Sequence, residues 1–255
     1  MNLLVLLKQI PDEEEKDQYQ DVDFLNASDK NVLKEALDFR DFYGGSVCVM
    51  LFGPLYGEEI LKEAFTYGID RAILVWDEDY KNQDIAGVAK VISKAIETTG
   101  SYDLVLCGRQ ALDGDAGHMA SITSCYLGYP LIAYSKEFNI VDKKIQAVCE
   151  SDDSEIMVKT LMPAMILSVK EKNHLRFPSI PDIMKTYDGT YKIERIGKKE
   201  LQIEPDLRKM YQIRCYYKIM RDHKRKMLSG EDERESAQRL LQVLREQHVI
   251  QGGEG

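Results

Sequence analysis

Short apolar runs alternate along the chain with segments whose apolar residues recur at helical spacing. Four of the runs lack any alternation of apolar and polar positions: LLVLL (3–7), SVCVMLF (46–52), RAILVW (71–76) and YDLVLC (102–107). A strand of this kind is buried on both faces, as in a parallel sheet that helices cover on each side. The pattern therefore predicts four strands of one parallel sheet.

Amphipathic helical patterns separate these runs and follow the last of them. They cover residues 31–43, 58–67, 84–99 and 119–127. Gly44, Gly45 and Gly68 follow two of these segments, as is typical of helix C-termini. The alternation of strands and helices predicts a doubly wound, mostly parallel α/β sheet, in which ligands bind beyond the carboxyl ends of the strands.

The pattern changes beyond about residue 130. Residues 136–150 and 155–169 have the character of antiparallel strands, and a connector with two prolines follows at 174–185. The last third of the chain is polar and finishes in an amphipathic helix at 230–250. These polar segments lack a core of their own, so we expect them to require another surface.

Composition and charge narrow the function. The chain has 255 residues, 44% hydrophobic and 30% charged, with a net charge of -9, which is typical of a globular protein and disfavours nucleic acid as a partner. The first apolar run is too short for a signal peptide, and no segment reaches the roughly 20 apolar residues of a membrane span. The cysteines and histidines have no metal-ligand spacing. We expect a soluble, cytoplasmic protein that binds no metal.

The loop GRQALDGDAGHMAS (108–121) follows the fourth predicted strand directly. Glycines and free N–H groups at a helix N-terminus favour the close approach of a phosphate, so one interpretation is a nucleotide cradle. The other is a turn that only the chain geometry requires. Asp113 and Asp115 would repel a phosphate unless they point away, and they are more plausible as helix caps or as acceptors for hydroxyls.

Two further segments fall on the same edge of the predicted sheet. LNASDKNVLKEAL (25–37) offers Ser28 or Asp29 as the N-cap of a helix, and LFGP (51–54) ends the second strand. Each is explained either by local geometry alone or by contact with a ligand that lies across the edge.

Taken together, the segments resemble the β subunit of electron transfer flavoproteins over most of the chain. The resemblance rests on LLVLLKQIPD, LNASDKNVLKEAL, VMLFGP, YGIDRAILVWD, DLVLCGRQALDGDAG and MPAMILSVKEKNHLRFPSIPDIMK. It implies a sheet of the adenine-nucleotide α-hydrolase type, with a nucleotide-binding α/β domain at 1–185 and a C-terminal arm and helix at 186–255. The arm would wrap around a larger α subunit that carries FAD.

The resemblance also implies a second nucleotide in this chain. This would be AMP in simple members, or FAD in electron-bifurcating members, where it takes a hydride from NADH. The Asn-x-x-Asp helix start and the Asp-Gly-Asp triplet are similar to the bifurcating group. The implied contacts are Leu6, Asn26, Ala27, Ser28, Asp29, Phe52, Ala111, Leu112, Asp113, Gly114, Asp115, Ala116, Gly117, His118 and Met119.

Two departures from the family pattern bear on function. The loop usually reads GRQAIDGDTxQVGP, so Ala116 and His118 replace a threonine and a glutamine. The segment that usually reads LNEPRY and docks partner dehydrogenases is here Lys172, Asn173, His174, Leu175, Arg176 and Phe177. Lys172 stands at the leucine anchor position, and Leu175 would serve from a shifted place, so we expect an unusual partner.

The function that the resemblance implies is electron transfer between NADH or a dehydrogenase and an acceptor, such as ferredoxin in bifurcating members. No catalytic residue is assigned, because the bound flavin would carry the chemistry. NADH oxidation is expected only if that flavin is present. The alternative is a nucleotide-binding sensor module of the same topology, with neither a redox role nor an α partner.

Overall fold

The computed structural model describes residues 1–11, 23–25, 27–81, 83–109, 118–151, 154–169, 175, 177–205, 228–230, 232–247 and 249. Its contacts divide the chain into two compact units, residues 1–210 and 211–255. The helices are α1 (Ala27–Tyr43), α2 (Glu58–Thr66), α3 (Ile85–Thr99), α4 (His118–Leu127), α5 (Ile180–Tyr187), α6 (Lys198–Leu201) and α7 (Glu233–Glu246). Helices α1 to α6 lie in the first unit, and α7 lies in the second.

Nine strands within the described residues form one sheet, in the order β11-β5-β4-β1-β6-β10-β7-β8-β9. They are β1 (Asn2–Leu7), β4 (Ser46–Phe52), β5 (Arg71–Val75), β6 (Leu104–Gly108), β7 (Leu131–Val141), β8 (Lys144–Ser151), β9 (Ser154–Thr160), β10 (Ala164–Ser168) and β11 (Ile193–Ile196). The short strands β2 (Gln9–Pro11) and β3 (Asp23–Leu25) pair separately with each other. In the nine-stranded sheet, all strands from β11 to β7 run parallel, whereas the described pairs β7–β8 and β8–β9 are antiparallel, as is the separate pair β2–β3.

The apolar strands are buried on both faces, as the sequence predicts. Leu3, Val5 and Leu7 of β1 belong to a core cluster shared with α1 and α2, and the alternate residues Leu4 and Leu6 belong to a second cluster with α3. Because successive residues of a strand point to opposite faces, both sets of side chains are shielded from water. The prediction of a doubly wound, mostly parallel α/β sheet is confirmed.

The residues predicted to be antiparallel contain more strands than the pattern indicated. Residues 136–150 hold the end of β7 and all of β8, joined by a tight turn at Asp142 and Lys143 with φ of 53° and 62°. Two central residues with positive φ make the turn type that suits a hairpin. Residues 155–169 hold β9 and β10, and β10 is parallel to both of its neighbours. The prediction of one antiparallel strand in each of these two stretches was therefore wrong.

The α/β unit continues past residue 185. Strand β11 pairs with β5, and the Arg71 guanidinium on β5 donates to both carboxylate oxygens of Glu194 on β11 at 2.6 and 2.5 Å. The Tyr80 hydroxyl donates to the carbonyl oxygen of Ile203 at 3.0 Å. Residues up to about 205 thus belong to the α/β unit, while the partner-contacting role of 186–255 stays a prediction.

In the second unit, helix α7 is the amphipathic helix that the sequence predicts. The Asp232 side chain caps it by accepting a hydrogen bond from the Glu235 N–H at 2.7 Å. Leu240 and Leu241 on its apolar stripe are exposed, at 48% and 46%. Within the described residues, this stripe has no core of its own to cover it.

Candidate functional site

The order of the parallel strands reverses at β1. The chain continues from β1 to β4 and β5 on one side, and returns with β6 on the other side, so that β1 lies between β4 and β6. In an open α/β sheet, ligands bind at such a switch point, in the crevice beyond the carboxyl ends of the strands. The carboxyl ends of β1 and β6, at Leu7 and Gly108, mark this place.

The first turn of α1 lies directly against the end of β6. A Cβ atom at Gly108 would stand 2.5 Å from the Ser28 Oγ and 2.7 Å from the Asp29 Oδ1, closer than any side chain tolerates. The missing side chain of Gly108 therefore allows the helix to approach the strand. The first N–H groups of a helix have no partner within it, and the helix dipole is positive there, so an anion is favoured at this position.

Asp29 fixes α1 to the end of β1. Its side chain is buried, with 4% exposed, and its Oδ2 accepts a hydrogen bond from the Lys8 N–H at 2.6 Å. The helix begins at Ala27, so Asp29 lies inside the first turn and Ser28 is not the residue before the helix. Burial raises the pKa of the neighbouring Cys107 thiol, and the Asp29 charge raises it further, so this thiol stays protonated.

Three of the residues predicted to contact the nucleotide are apolar and lie on the other face of the sheet. Leu6 is a member of the core cluster that also holds Cys107, and Phe52 and Met119 pack against that same cluster. The Phe52 ring also meets the Trp76 ring edge to face, with 5.8 Å between centroids. Ser28 and Asp29 thus flank the carboxyl edge on one face, and Leu6, Phe52 and Met119 flank it on the other.

The remaining predicted residues are placed only in part. His118 begins α4 and is exposed, and Ala27 begins α1. Asn26 and the loop Ala111–Gly117 lie outside the described residues. In the predicted docking segment, Lys172, Asn173, His174 and Arg176 also lie outside them. Leu175 packs against the core, whereas Phe177 is 96% exposed.

Sequence reasoning missed two residues at this edge. The Arg109 guanidinium lies over the Tyr134 ring, 5.3 Å from its centroid, and the Arg109 N–H donates to the carbonyl oxygen of Ser168 at 3.1 Å. Arg109 carried a signal, because it is a basic residue directly after a buried strand. Tyr134 carried none, since the bulge that presents it has no local sequence signature.

These residues fit an adenine nucleotide in their chemistry. The N-terminus of α1 and the Ser28 hydroxyl provide hydrogen-bond donors, and the Phe52 ring provides an apolar face. The Asp29 carboxylate would repel a phosphate, but it is buried and its Oδ2 is engaged by the main chain after β1. The hydrogen bond from the Lys8 N–H partly offsets its negative charge at this edge.

Comparisons with known proteins identify the family of the chain. The electron transfer flavoprotein domain matches residues 19–190. The electron transfer flavoprotein subunit beta of Thermoanaerobacterium thermosaccharolyticum is 34% identical over 212 residues, which covers 80% of this chain and 78% of that protein. The corresponding subunit of Clostridium acetobutylicum is 30% identical over 202 residues, covering 76% of this chain and 78% of that protein.

A third relative spans nearly the full length. The caffeyl-CoA reductase-Etf complex subunit CarD of Acetobacterium woodii is 29% identical over 265 residues, covering 98% of this chain and 100% of that protein. Among the described residues, no helix is long and apolar enough to cross a membrane. The family domain covers more than half of the chain, and one relative is 34% identical to it. The chain therefore belongs to the electron transfer flavoprotein family and is similar to the β subunits of that family.

Proposed function

We propose that this electron-transfer chain is the nucleotide-holding subunit of a heterodimer, in which an α subunit carries the electron-shuttling FAD. The observation that supports this most is the convergence of the first turn of α1 with the ends of β1 and β6 at the switch point of the sheet. The exposed leucines of α7 support a partner for the C-terminal arm, because an apolar stripe of this kind is stable when another chain covers it.

The ligand we propose for the carboxyl edge is an adenine nucleotide, FAD or AMP. Ser28 and the N–H groups of the first turn of α1 would hold a phosphate, and Leu6, Phe52 and Met119 would line the apolar side. Asp29 would position α1 through its bond to the Lys8 N–H. FAD, when bound, supplies the hydride and single-electron chemistry, whereas AMP serves only structure.

The proposed redox partners are NADH or a dehydrogenase on the donor side and a low-potential acceptor such as ferredoxin in the bifurcating case. Phe177 is the apolar side chain that the docking segment exposes, and Leu175 is occupied in the core. An aromatic side chain that is almost fully exposed is an efficient anchor for a protein partner. Docking through Phe177 would differ from the leucine anchor of the family.

The test is to co-express the chain with an α subunit of the family and to count the nucleotides released from the purified pair. We expect a 1:1 complex that releases the FAD of the α subunit and one further adenine nucleotide per pair. A second FAD identifies the flavin-bearing type, and AMP identifies the simple type. A chain that does not co-purify, or a pair that releases only one nucleotide, contradicts the proposal.

The sensor alternative makes a different prediction, namely reversible ATP or AMP binding by the chain without an α partner. The relatives found here are named as subunits of electron transfer flavoproteins or of an Etf complex, so no observation favours the sensor.

A further inference from the structure

We propose that Arg109 and Tyr134 form a second contact subsite on the carboxyl edge, which takes the flavin-bearing half of FAD and distinguishes FAD from AMP. This inference rests on the proposed nucleotide site. It names a part of that edge which neither the sequence pattern nor the family resemblance assigns.

The position of the pair along the sheet is the first argument. Phe52 ends β4 and Tyr134 lies on β7, and the strands β1, β6 and β10 lie between them in the sheet. Four strand spacings of about 4.8 Å each give a span of about 19 Å. Under the proposed function, AMP, with one base, one sugar and one phosphate, would contact Phe52 and the first turn of α1, which lies against the end of β6 at the centre of this span. FAD continues beyond the first phosphate and has a second ring system to place.

The second argument is the environment of Arg109. The residue is half-buried, and its main chain is held by the hydrogen bond from its N–H to the carbonyl oxygen of Ser168. Over the part of the chain that the structure describes, its guanidinium makes no ion pair with a carboxylate and lies over the Tyr134 ring. A partly desolvated guanidinium that makes no ion pair among these described residues can offer its N–H donors to a ligand.

The third argument is the backbone of Tyr134. Its φ is +56°, and the registers of β7 with both of its neighbours shift around this position, between Ile166 and Ser168 on β10 and between Ser135 and Glu137 on β7 itself. A non-glycine residue with this φ is strained, and strain of this kind concentrates at functional sites. The bulge presents the ring at the carboxyl edge, 46% exposed and beneath the Arg109 guanidinium.

The chemistry of the pair selects the class of ligand. A guanidinium donates to phosphate oxygens and to ring carbonyl oxygens, and an aromatic side chain packs against a flat ring. The flavin half of FAD offers both, since it carries a second phosphate and a planar ring with carbonyl groups. The AMP portion would already be satisfied by Ser28, the first turn of α1 and the Phe52 side of the edge.

The experiment measures the affinity of the full-length, nucleotide-free chain for FAD and for AMP by titration calorimetry. The variants are R109M, R109K and Y134L, with R195M as a matched control, because Arg195 pairs with Glu58 on α2 and lies on β11, six strands away from β7 in the sheet. We expect R109M to weaken FAD binding about tenfold or more, as for a lost charge-assisted hydrogen bond, and to change AMP affinity less than twofold. R109K keeps the charge without the planar fork, so it should lie between wild type and R109M.

The ratio of the two affinities separates this subsite from a structural role. A general loss of folding would lower the affinity for both nucleotides equally, and R195M should lower neither. The inference fails if wild type binds both nucleotides while R109M and Y134L leave the FAD:AMP ratio unchanged, and it also fails if wild type binds AMP but not FAD. A wild-type chain that binds neither nucleotide overturns the proposed function together with this inference.

Discussion

Replacing Gly108 by alanine tests the contact on which the candidate site is built. The new Cβ would lie 2.5 Å from the Ser28 Oγ, 2.7 Å from the Asp29 Oδ1 and 2.9 Å from the Ser28 Cβ. The Asp29 carboxylate cannot simply rotate away, because it is buried and accepts the hydrogen bond of the Lys8 N–H at 2.6 Å. The first turn of α1 must therefore move away from the end of β6.

The expected cost follows from the overpacking. Forcing a methyl group into a packed site typically costs about 1–3 kcal/mol. For a unit of about 200 residues, this corresponds to a fall of about 2–12 °C in the midpoint of thermal unfolding. Because the N–H groups of α1 move with the turn, AMP affinity measured by calorimetry should fall as well, by about tenfold for each 1.4 kcal/mol of lost binding.

Two further variants isolate the cause. In G108A/S28A the contact to the Ser28 Oγ is gone, so part of the lost stability should return, although the Ser28 Cβ remains. G128A is the matched control, since Gly128 has a φ of +67° and open space around its Cβ position. It should lose about 1–2 kcal/mol to backbone strain and keep its AMP affinity. If G108A matches wild type in both stability and AMP affinity, α1 does not approach β6 as described.

Three further predictions concern β5, β11 and the residues next to them, on the other side of β1 from β7. R71M should lower the free energy of unfolding in urea by about 1–3 kcal/mol, because the Arg71 guanidinium donates both to Glu194 and, at 2.7 Å, to the Thr99 carbonyl oxygen. An unchanged urea midpoint would show that these bonds do not stabilise the fold. Arg71 lowers the pKa of Glu194 from its usual 4.5, so the stabilisation is present above about pH 4.5 and is lost as pH falls through the lowered pKa. E194Q should thus be less stable than wild type at pH 7 by at most about 1 kcal/mol, since the pair is partly exposed, and the difference should shrink as pH falls through the lowered pKa of Glu194; a difference that stays constant as pH falls would be inconsistent. Y80F should cost about 1 kcal/mol in thermal unfolding through the lost bond to Ile203, and a more stable variant would exclude that bond.

The strands that the sequence predicted best are those buried on both faces. SVCVMLF is strand β4 from its first residue to its last, because every position between Val47 and Leu51 is buried and the run therefore contains no polar interruption. Helix α1 begins four residues before the predicted segment at 31–43, since its first turn is polar and is held by contacts with β1 and β6. The spacing of apolar residues along the sequence does not reveal contacts with other elements of the fold.

The antiparallel section shows where the pattern fails. Strand β9 lies at the edge of the sheet, with Ile156 and Met157 exposed at 51% and 66%, so neither face imposes a regular alternation. The turn at Asp142 and Lys143 has positive φ without a glycine, so the sequence lacks the usual glycine signal of a hairpin turn. Strand β10 follows almost directly, and its parallel pairing depends on strands that are distant in the sequence.

The sequence predicted the position of the candidate site better than its contacts, and nucleotide binding there stays a prediction. A glycine-rich turn after a buried strand, together with a polar helix start, indicated the carboxyl edge, and the structure brings Gly108, Ser28 and Asp29 together there. Arg109 and Tyr134 meet across β10, and their pairing depends on a bulge that forms only when three strands align. Contacts of this kind follow from the register of the sheet.

The most direct test of the central claim is amide hydrogen exchange of the full-length chain with and without AMP, read out by mass spectrometry. The account predicts that AMP slows exchange at the carboxyl ends of β1 and β6 and in the first turn of α1, around residues 6–8, 27–32 and 106–109. The hairpin of β8 and β9 should be unaffected. Protection confined to β8 and β9, or no protection at a saturating AMP concentration, would contradict a nucleotide site at the switch point of the sheet.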